Sequence, residues 1–138
     1  MDVFEQMVMG YLTRHGNIFV CPQYSIGQDW ACPDFVALEF SKQKTVWVVE
    51  VSAAWDIARL ARKVVNRKEQ WLERLGRELT AKGIVDGSWR SAVKVFVRES
   101  RIEEFKRRIG DVGEDVKVER LEGVASPWHW NWNEGVTE

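Results

Sequence analysis

Apolar residues along the chain recur at two spacings, one typical of helices and one typical of strands. Spacings of three and four predict helices, and short runs rich in β-branched and aromatic residues predict strands. The predicted elements lie at residues 2–15, 17–24, 35–40, 46–51, 53–82, 92–97, 102–109 and 116–121. Their order, α-β-β-β-α-β-α-β, predicts an α/β fold in which a mixed central β-sheet is flanked by helices.

Residues 33–52 are predicted to form a β-hairpin with a polar turn at residues 41–44. If the loop holds two residues, Asp34 faces Val51, and a slip of one residue instead puts Asp34 opposite Glu50. In either register two carboxylates meet at the open end of the hairpin. Opposed side chains lie about 4.5–5.5 Å apart, so the two negative charges repel each other. A divalent cation such as Mg²⁺, which prefers oxygen ligands, would account for the pair.

Pro33-Asp34 and Glu50-Val51-Ser52, placed on the two strands of a hairpin, resemble the motif of the PD-(D/E)xK nuclease superfamily. The predicted element order is also similar to the core of its restriction-endonuclease-like fold. The resemblance implies a site in which Asp34, Glu50 and the Val51 backbone carbonyl hold Mg²⁺ or Mn²⁺. The other interpretation is an ordinary hairpin, with Asp34 in a turn and Glu50 in solvent.

The chain departs from the superfamily motif at the lysine position, which is occupied by Ser52. Lys63, on the helix that follows, is a candidate replacement, and Gln23 on the first strand is a neutral, water-orienting alternative. Lys63 is also placed to lie on a solvated helix face. Glu5 either favours the N-terminus of the first helix or, as the resemblance implies, assists the metal. The candidate catalytic residues are Asp34, Glu50, Ser52, Lys63, Glu5 and Gln23.

The polar face of the long helix predicted at 53–82 carries an excess of positive charge. Such a face either follows the phosphates of a nucleic acid or is solvated and paired with nearby Glu69 and Glu73. The net charge of −1 gives no global indication of nucleic-acid binding. The candidate nucleic-acid residues are Arg59, Arg62, Lys63, Arg67, Lys68 and Arg74.

The length of 138 residues and the 45% hydrophobic content predict one domain with a substantial core. We place a nuclease-like domain at residues 1–122. We expect a cytoplasmic protein without membrane contact, because the N-terminus lacks the pattern of a signal peptide and no apolar run approaches a membrane span.

The segment 123–138 is rich in tryptophan, with Trp128, Trp130 and Trp132 alternating with polar residues. We predict that it packs on the domain or on a partner subunit, in preference to stacking on bases. A homodimer would suit a substrate of two strands, because its two sites would lie about a twofold axis.

These observations predict a Mg²⁺-dependent DNA endonuclease, either structure-selective and resolvase-like or similar to restriction and repair nucleases. The alternative is a catalytically inactive module on the same fold that binds nucleic acid or a protein partner. Ser52 in the lysine position is the main support for that alternative.

Overall fold

The computed structural model describes residues 1–26 and 32–125. Its helices are α1 (Val3–Leu12), α2 (Ala58–Val65), α3 (Glu73–Ala81), α4 (Ile102–Ile109) and α5 (Leu121–Ala125). Its strands are β1 (Ile18–Pro22), β2 (Phe35–Glu39), β3 (Thr45–Ser52), β4 (Arg90–Val97) and β5 (Val116–Arg120). The predicted order of helices and strands is confirmed, with α2 and α3 taking the place of one long helix and α5 added at the end.

The five strands form one mixed sheet in the order β1-β2-β3-β4-β5. The β1–β2 and β2–β3 pairs are antiparallel, whereas the β3–β4 and β4–β5 pairs are parallel. The two parallel pairs require crossover connections, which α2 with α3 and then α4 supply. The predicted α/β architecture with a mixed sheet flanked by helices is therefore confirmed.

Each face of the sheet has its own hydrophobic core, because side chains along a strand point alternately to opposite faces. Val46 and Val48 pack beneath α2, α3 and α4, where Trp71 is fully buried. Trp47 and Val49 pack on the opposite face beneath α1 and α5. The following residue of β3, Glu50, continues the alternation on the face covered by α2.

The hairpin adopts the second of the two predicted registers. Phe35 pairs with Val49 and Glu39 pairs with Thr45, so one further step outward sets Asp34 opposite Glu50. The loop comprises residues 40–44 rather than two residues, and the carbonyl of Gln43 accepts hydrogen bonds from both Ser41 Oγ and Thr45 Oγ1. These hydroxyl contacts stabilise a loop longer than the minimal turn.

The long helix predicted at 53–82 begins later than expected and is interrupted. Asp56 Oδ1 accepts a hydrogen bond from the Ala58 N–H at 3.0 Å, which satisfies a donor at the start of α2. The carbonyls of Ala53 and Trp55 accept from the side chains of Arg98 and Arg101, so residues 53–57 form a loop. Further on, a π-helical turn at Lys68–Leu72 joins α2 to α3.

The first helix begins as predicted, with Asp2 as its N-cap, but it ends at Leu12 rather than near residue 15. In the described part of the chain, no helix has the length and apolar character needed to cross a membrane. Helix α5 runs across the predicted domain boundary at residue 122. Residues 126–138, with their three alternating tryptophans, lie outside the described residues, so packing of this segment and the homodimer stay predictions.

Candidate active site

Asp34 and Glu50 are held beside each other at the end of the hairpin by two crossed hydrogen bonds. The Asp34 backbone N–H donates to Glu50 Oε2 at 2.9 Å, and the Val51 N–H donates to Asp34 Oδ2 at 2.7 Å. Glu50 is only 7% exposed. Each carboxylate is thus fixed by a backbone donor from the opposite strand, which sets its position without a cationic side chain.

The environment of this pair disfavours two negative charges. Burial, and after it the nearby negative charge of Glu50, raises the pKa of Asp34 to about 6, although the hydrogen bond from the Val51 N–H acts in the opposite direction. The pair is therefore the local arrangement in which a bound cation would relieve electrostatic repulsion.

Glu5 caps the first helix and also interacts with Asp34, while a role in assisting a metal stays a prediction. Its Oε2 accepts a hydrogen bond from the Asp2 N–H at 2.8 Å, and Asp2 Oδ1 accepts from the Glu5 N–H at 2.8 Å, which together make a capping box. Its carboxyl group also interacts with Asp34. Burial raises the pKa of Glu5, and the hydrogen bond and charge of Asp34 add to that rise. Helix α1 therefore places the Glu5 carboxyl group next to Asp34, although Glu5 does not line the cleft described below.

An open cleft of about 350 Å³ lies over the carboxylate pair, between the end of β3 and α2. Six of its lining residues were candidates from the sequence: Asp34, Glu50, Val51, Ser52, Arg59 and Lys63. Cys32, Asp56 and Leu60 complete the lining. The hairpin and the first two turns of α2 thus bring acidic and basic candidates to one place.

Lys63 lies in this cleft although it is 13 residues beyond Glu50 in the chain. Its side chain is half-buried, unlike a lysine on a fully solvated face. The nearer Ser52 also lines the cleft but carries no positive charge, and its Oγ accepts a hydrogen bond from the Ala54 N–H at 3.3 Å. The cleft therefore offers an ammonium group, but from α2 rather than from β3.

The side chain of Gln23, predicted to orient a water at the site, is exposed and does not line the cleft. Its backbone N–H donates to the Asp34 carbonyl at 2.9 Å, and its φ is 53°, a conformation uncommon outside glycine. Gln23 thus fixes the backbone of Asp34 and supplies no side chain to the cleft.

The six basic candidates do not form one continuous surface. Arg59 and Lys63 line the cleft, while Arg62 lines a separate groove of about 210 Å³ with Asn66 and Arg108, between α2 and α4. Lys68 is exposed on the π-helical turn, and Arg74 is half-buried on α3. Arg59 and Lys63 are the two that lie beside the carboxylates.

Arg67 is the basic candidate whose position argues against phosphate contact. Its guanidinium binds Asp115 through two nitrogens, at 2.6 and 2.8 Å, and donates to the Val112 carbonyl at 2.8 Å. Its side chain is only 12% exposed. These contacts favour a structural role, in which Arg67 joins the segment after α2 to the loop before β5, over its predicted place on the nucleic-acid surface.

The oxygen ligands of this site would suit a hard cation that takes only a few of its ligands from the protein. Within residues 1–26 and 32–125, no three His, Cys, Asp or Glu side chains are grouped so that they could hold a metal ion. Mg²⁺ commonly takes only one or two carboxylates and completes its shell with water and substrate oxygens. Asp34 and Glu50, with backbone oxygen, match that requirement.

Comparisons with protein-family models, with curated proteins and with solved structures found no match for this chain. Support for a function therefore comes from the residues themselves and from their arrangement in the cleft.

One charged residue of this site, Asp56, was missed by sequence reasoning. Asp56 lines the cleft and accepts a hydrogen bond from the N–H of Ala58, the first residue of α2, and an Asp shortly before a helix is a recognisable N-terminal signal. Trp55, just before it, is 66% exposed. The favourable helical propensity of Ala53 and Ala54 concealed the loop that carries both residues.

Proposed function

We propose that this chain is a metal-dependent nuclease with a restriction-endonuclease-like fold, which hydrolyses phosphodiester bonds in DNA. One observation carries the proposal: Asp34 and Glu50 are held on adjacent strands in a cleft that also contains Lys63. Two neighbouring carboxylates can hold a metal ion, and the ammonium group of a lysine from another helix can stabilise negative charge on a phosphate. Hydrolysis of a phosphodiester needs both functions.

The topology supports the proposed fold name. The acidic residues lie on an antiparallel hairpin, and the strand that carries Glu50 continues the sheet through a parallel partner. Helices cover both faces, with α1 bringing Glu5 to the pair. This arrangement agrees with the motif positions Pro33-Asp34 and Glu50-Val51-Ser52 in the sequence.

Asp34, Glu50 and the Val51 carbonyl are the groups that would hold Mg²⁺ or Mn²⁺. When bound, such a cation lowers the pKa of a coordinated water and stabilises the charge that develops on the phosphate. The crossed hydrogen bonds to Asp34 and Glu50 keep both carboxylates in position before binding, so little reorganisation is needed.

Lys63 and Arg59 supply the positive charge of the cleft. Lys63 would orient a water toward the phosphorus and offset the negative charge of the phosphate, a role that neutral Ser52 cannot perform. Arg59 keeps its proton throughout the working pH range, so it would bind and stabilise phosphate without acting as a base. Half-burial of Lys63 limits its motion and favours a fixed position.

A second function, an inactive module that binds nucleic acid or protein, is favoured by the position of Ser52. Its hydroxyl is engaged with the Ala54 N–H, and the motif lysine is absent. This module would keep the fold and the basic residues without cleaving DNA. Cleavage separates the two functions directly.

The test is a cleavage assay on linear, nicked, single-stranded and four-way-junction DNA, with Mg²⁺, with Mn²⁺ and with EDTA. The nuclease should cut at least one substrate with metal, and Asp34→Asn or Glu50→Gln should abolish cutting while the fold survives. Glu103→Gln, which changes an exposed carboxylate on α4, is the matched control and should retain activity. Full activity in both site variants would overturn the proposal, and an inactive parent protein would favour the binding module.

A further inference from the structure

Trp55 presents a large apolar ring to solvent beside the candidate active site. It is 66% exposed, more than any other described large hydrophobic side chain. Ser52 and Asp56, which flank it in the chain, both line the cleft. The loop that carries Trp55 therefore borders the cleft.

The loop that carries Trp55 is held in place by two arginines that follow β4. Arg101 Nε donates to the Trp55 carbonyl at 2.9 Å, and Arg98 Nε donates to the Ala53 carbonyl. The guanidinium of Arg101 also lies over the Trp55 ring, 4.2 Å from its centroid, a cation–π contact. The ring is thus fixed in advance, so a ligand that stacks on it loses little conformational freedom.

Two arginines, Arg98 and Arg101, lie directly against the loop of Trp55, and their positive charge beside an aromatic ring favours an anionic ligand with flat groups. Arg101 and Arg98 support the loop, while Arg59 and Lys63 line the adjoining cleft. A protein partner that buried Trp55 would also have to desolvate these charges. A polynucleotide strand instead provides phosphates for the cations and bases for the ring.

We propose that Trp55 is a stacking platform for an unpaired base, which selects DNA with a single-stranded segment next to the bond in the cleft. Bases inside a duplex already stack on each other, so the exposed face of Trp55 is available to them only after unpairing. This inference rests on the proposed function and adds its substrate class: tails, flaps or junctions in preference to blunt duplex.

The test measures binding without cleavage, in EDTA, by fluorescence anisotropy of a labelled oligo(dT) and of a blunt duplex. Trp55→Ala should weaken oligo(dT) binding roughly 10-fold, as expected for the loss of one base stack, while duplex affinity changes less than about twofold. Trp55→Phe should retain most of the affinity because it keeps an aromatic face. Phe19→Ala, which removes an aromatic side chain that is 65% exposed on β1, is the control and should leave both affinities unchanged.

The outcomes distinguish this inference from the proposed function. Unchanged oligo(dT) affinity in Trp55→Ala, or an equal loss for both DNA forms, would overturn the stacking role and leave the nuclease proposal standing. A parent protein that binds neither DNA would overturn this inference, whereas the cleavage assay with metal decides the proposed function separately.

Discussion

The backbone N–H of Asp34 donates a hydrogen bond to Glu50 Oε2 at 2.9 Å across the open end of the hairpin. The reciprocal bond from the Val51 N–H to Asp34 Oδ2 fixes the second carboxylate. These bonds hold together two groups whose charges repel each other. The arrangement raises the free energy of the folded protein when both groups are ionised.

Asp34→Asn should stabilise the metal-free protein at neutral pH. The pKa of Asp34 is raised from its ordinary value of 3.8 to about 6 by burial and by Glu50. The stabilising protonation is complete below about pH 4 and is lost as the pH rises through about 6. In EDTA at pH 7.5 the free energy of unfolding, measured with urea, should be on the order of 1–2 kcal/mol higher for the variant than for the parent. This difference should disappear near pH 4. Equal stability of the two proteins at both pH values would contradict the claim that the ionised Asp34 and Glu50 side chains destabilise the fold.

Lys63→Ala should lower the cleavage rate about 100-fold, the lower end of the range for a lost proton-transfer or water-positioning group, with metal affinity unchanged. Lys63→Arg should restore charge but only part of the rate, since an arginine does not release its proton. Arg59→Ala is the control within the same cleft and should weaken DNA binding more than it slows the chemical step. Single-turnover kinetics with saturating metal separates these effects. Full activity in Lys63→Ala would show that Lys63 takes no part in catalysis.

Arg67→Ala should destabilise the fold by about 1–3 kcal/mol, because it breaks a partly buried two-point ion pair and removes the arginine that binds Asp115. The presence of Arg67 lowers the pKa of Asp115. Stability from this pair should therefore be present above the unfolded pKa of Asp115 and be lost as the pH falls through its depressed folded value.

A double-mutant cycle with Asp115→Asn, measured by urea unfolding, gives the coupling free energy of the Arg67 pair. If Arg67→Ala kept the stability of the parent protein but lost DNA affinity, Arg67 would be assigned to nucleic-acid binding and not to stabilisation of the fold.

Arg59→Ala should reduce the salt dependence of DNA binding. Each lost phosphate contact shallows the slope of log affinity against log salt by about one unit. The same change in Arg67 should leave the slope unchanged, because that side chain is engaged with Asp115. Titrations at four salt concentrations in EDTA measure both slopes. An equal slope for Arg59→Ala and the parent would assign Arg59 to an ordinary solvated helix face.

The order of helices and strands could be predicted because it follows from local apolar spacing, and the same pattern placed Asp34 and Glu50 at one end of the hairpin. The register could not be settled, since it depends on hydroxyl contacts inside the loop at 40–44. The predicted start of the long helix at residue 53 was wrong. The carbonyls of Ala53 and Trp55 accept hydrogen bonds from Arg98 and Arg101, about 45 residues later in the chain. The role of Arg67 escaped prediction for the same reason, since its partner is Asp115. Contacts between distant parts of a chain leave no periodic signal.

The most direct test of the central claim, that Asp34 and Glu50 form a divalent-cation site, is calorimetric titration of the apo protein with Mn²⁺ and with Mg²⁺ at pH 7.5. The parent protein and the Glu103→Gln control should each bind cation in this titration. Glu50→Gln and Asp34→Asn should each lose that binding by at least about 10-fold in affinity. The absence of binding in the parent, or equal binding in all four proteins, would contradict the claim.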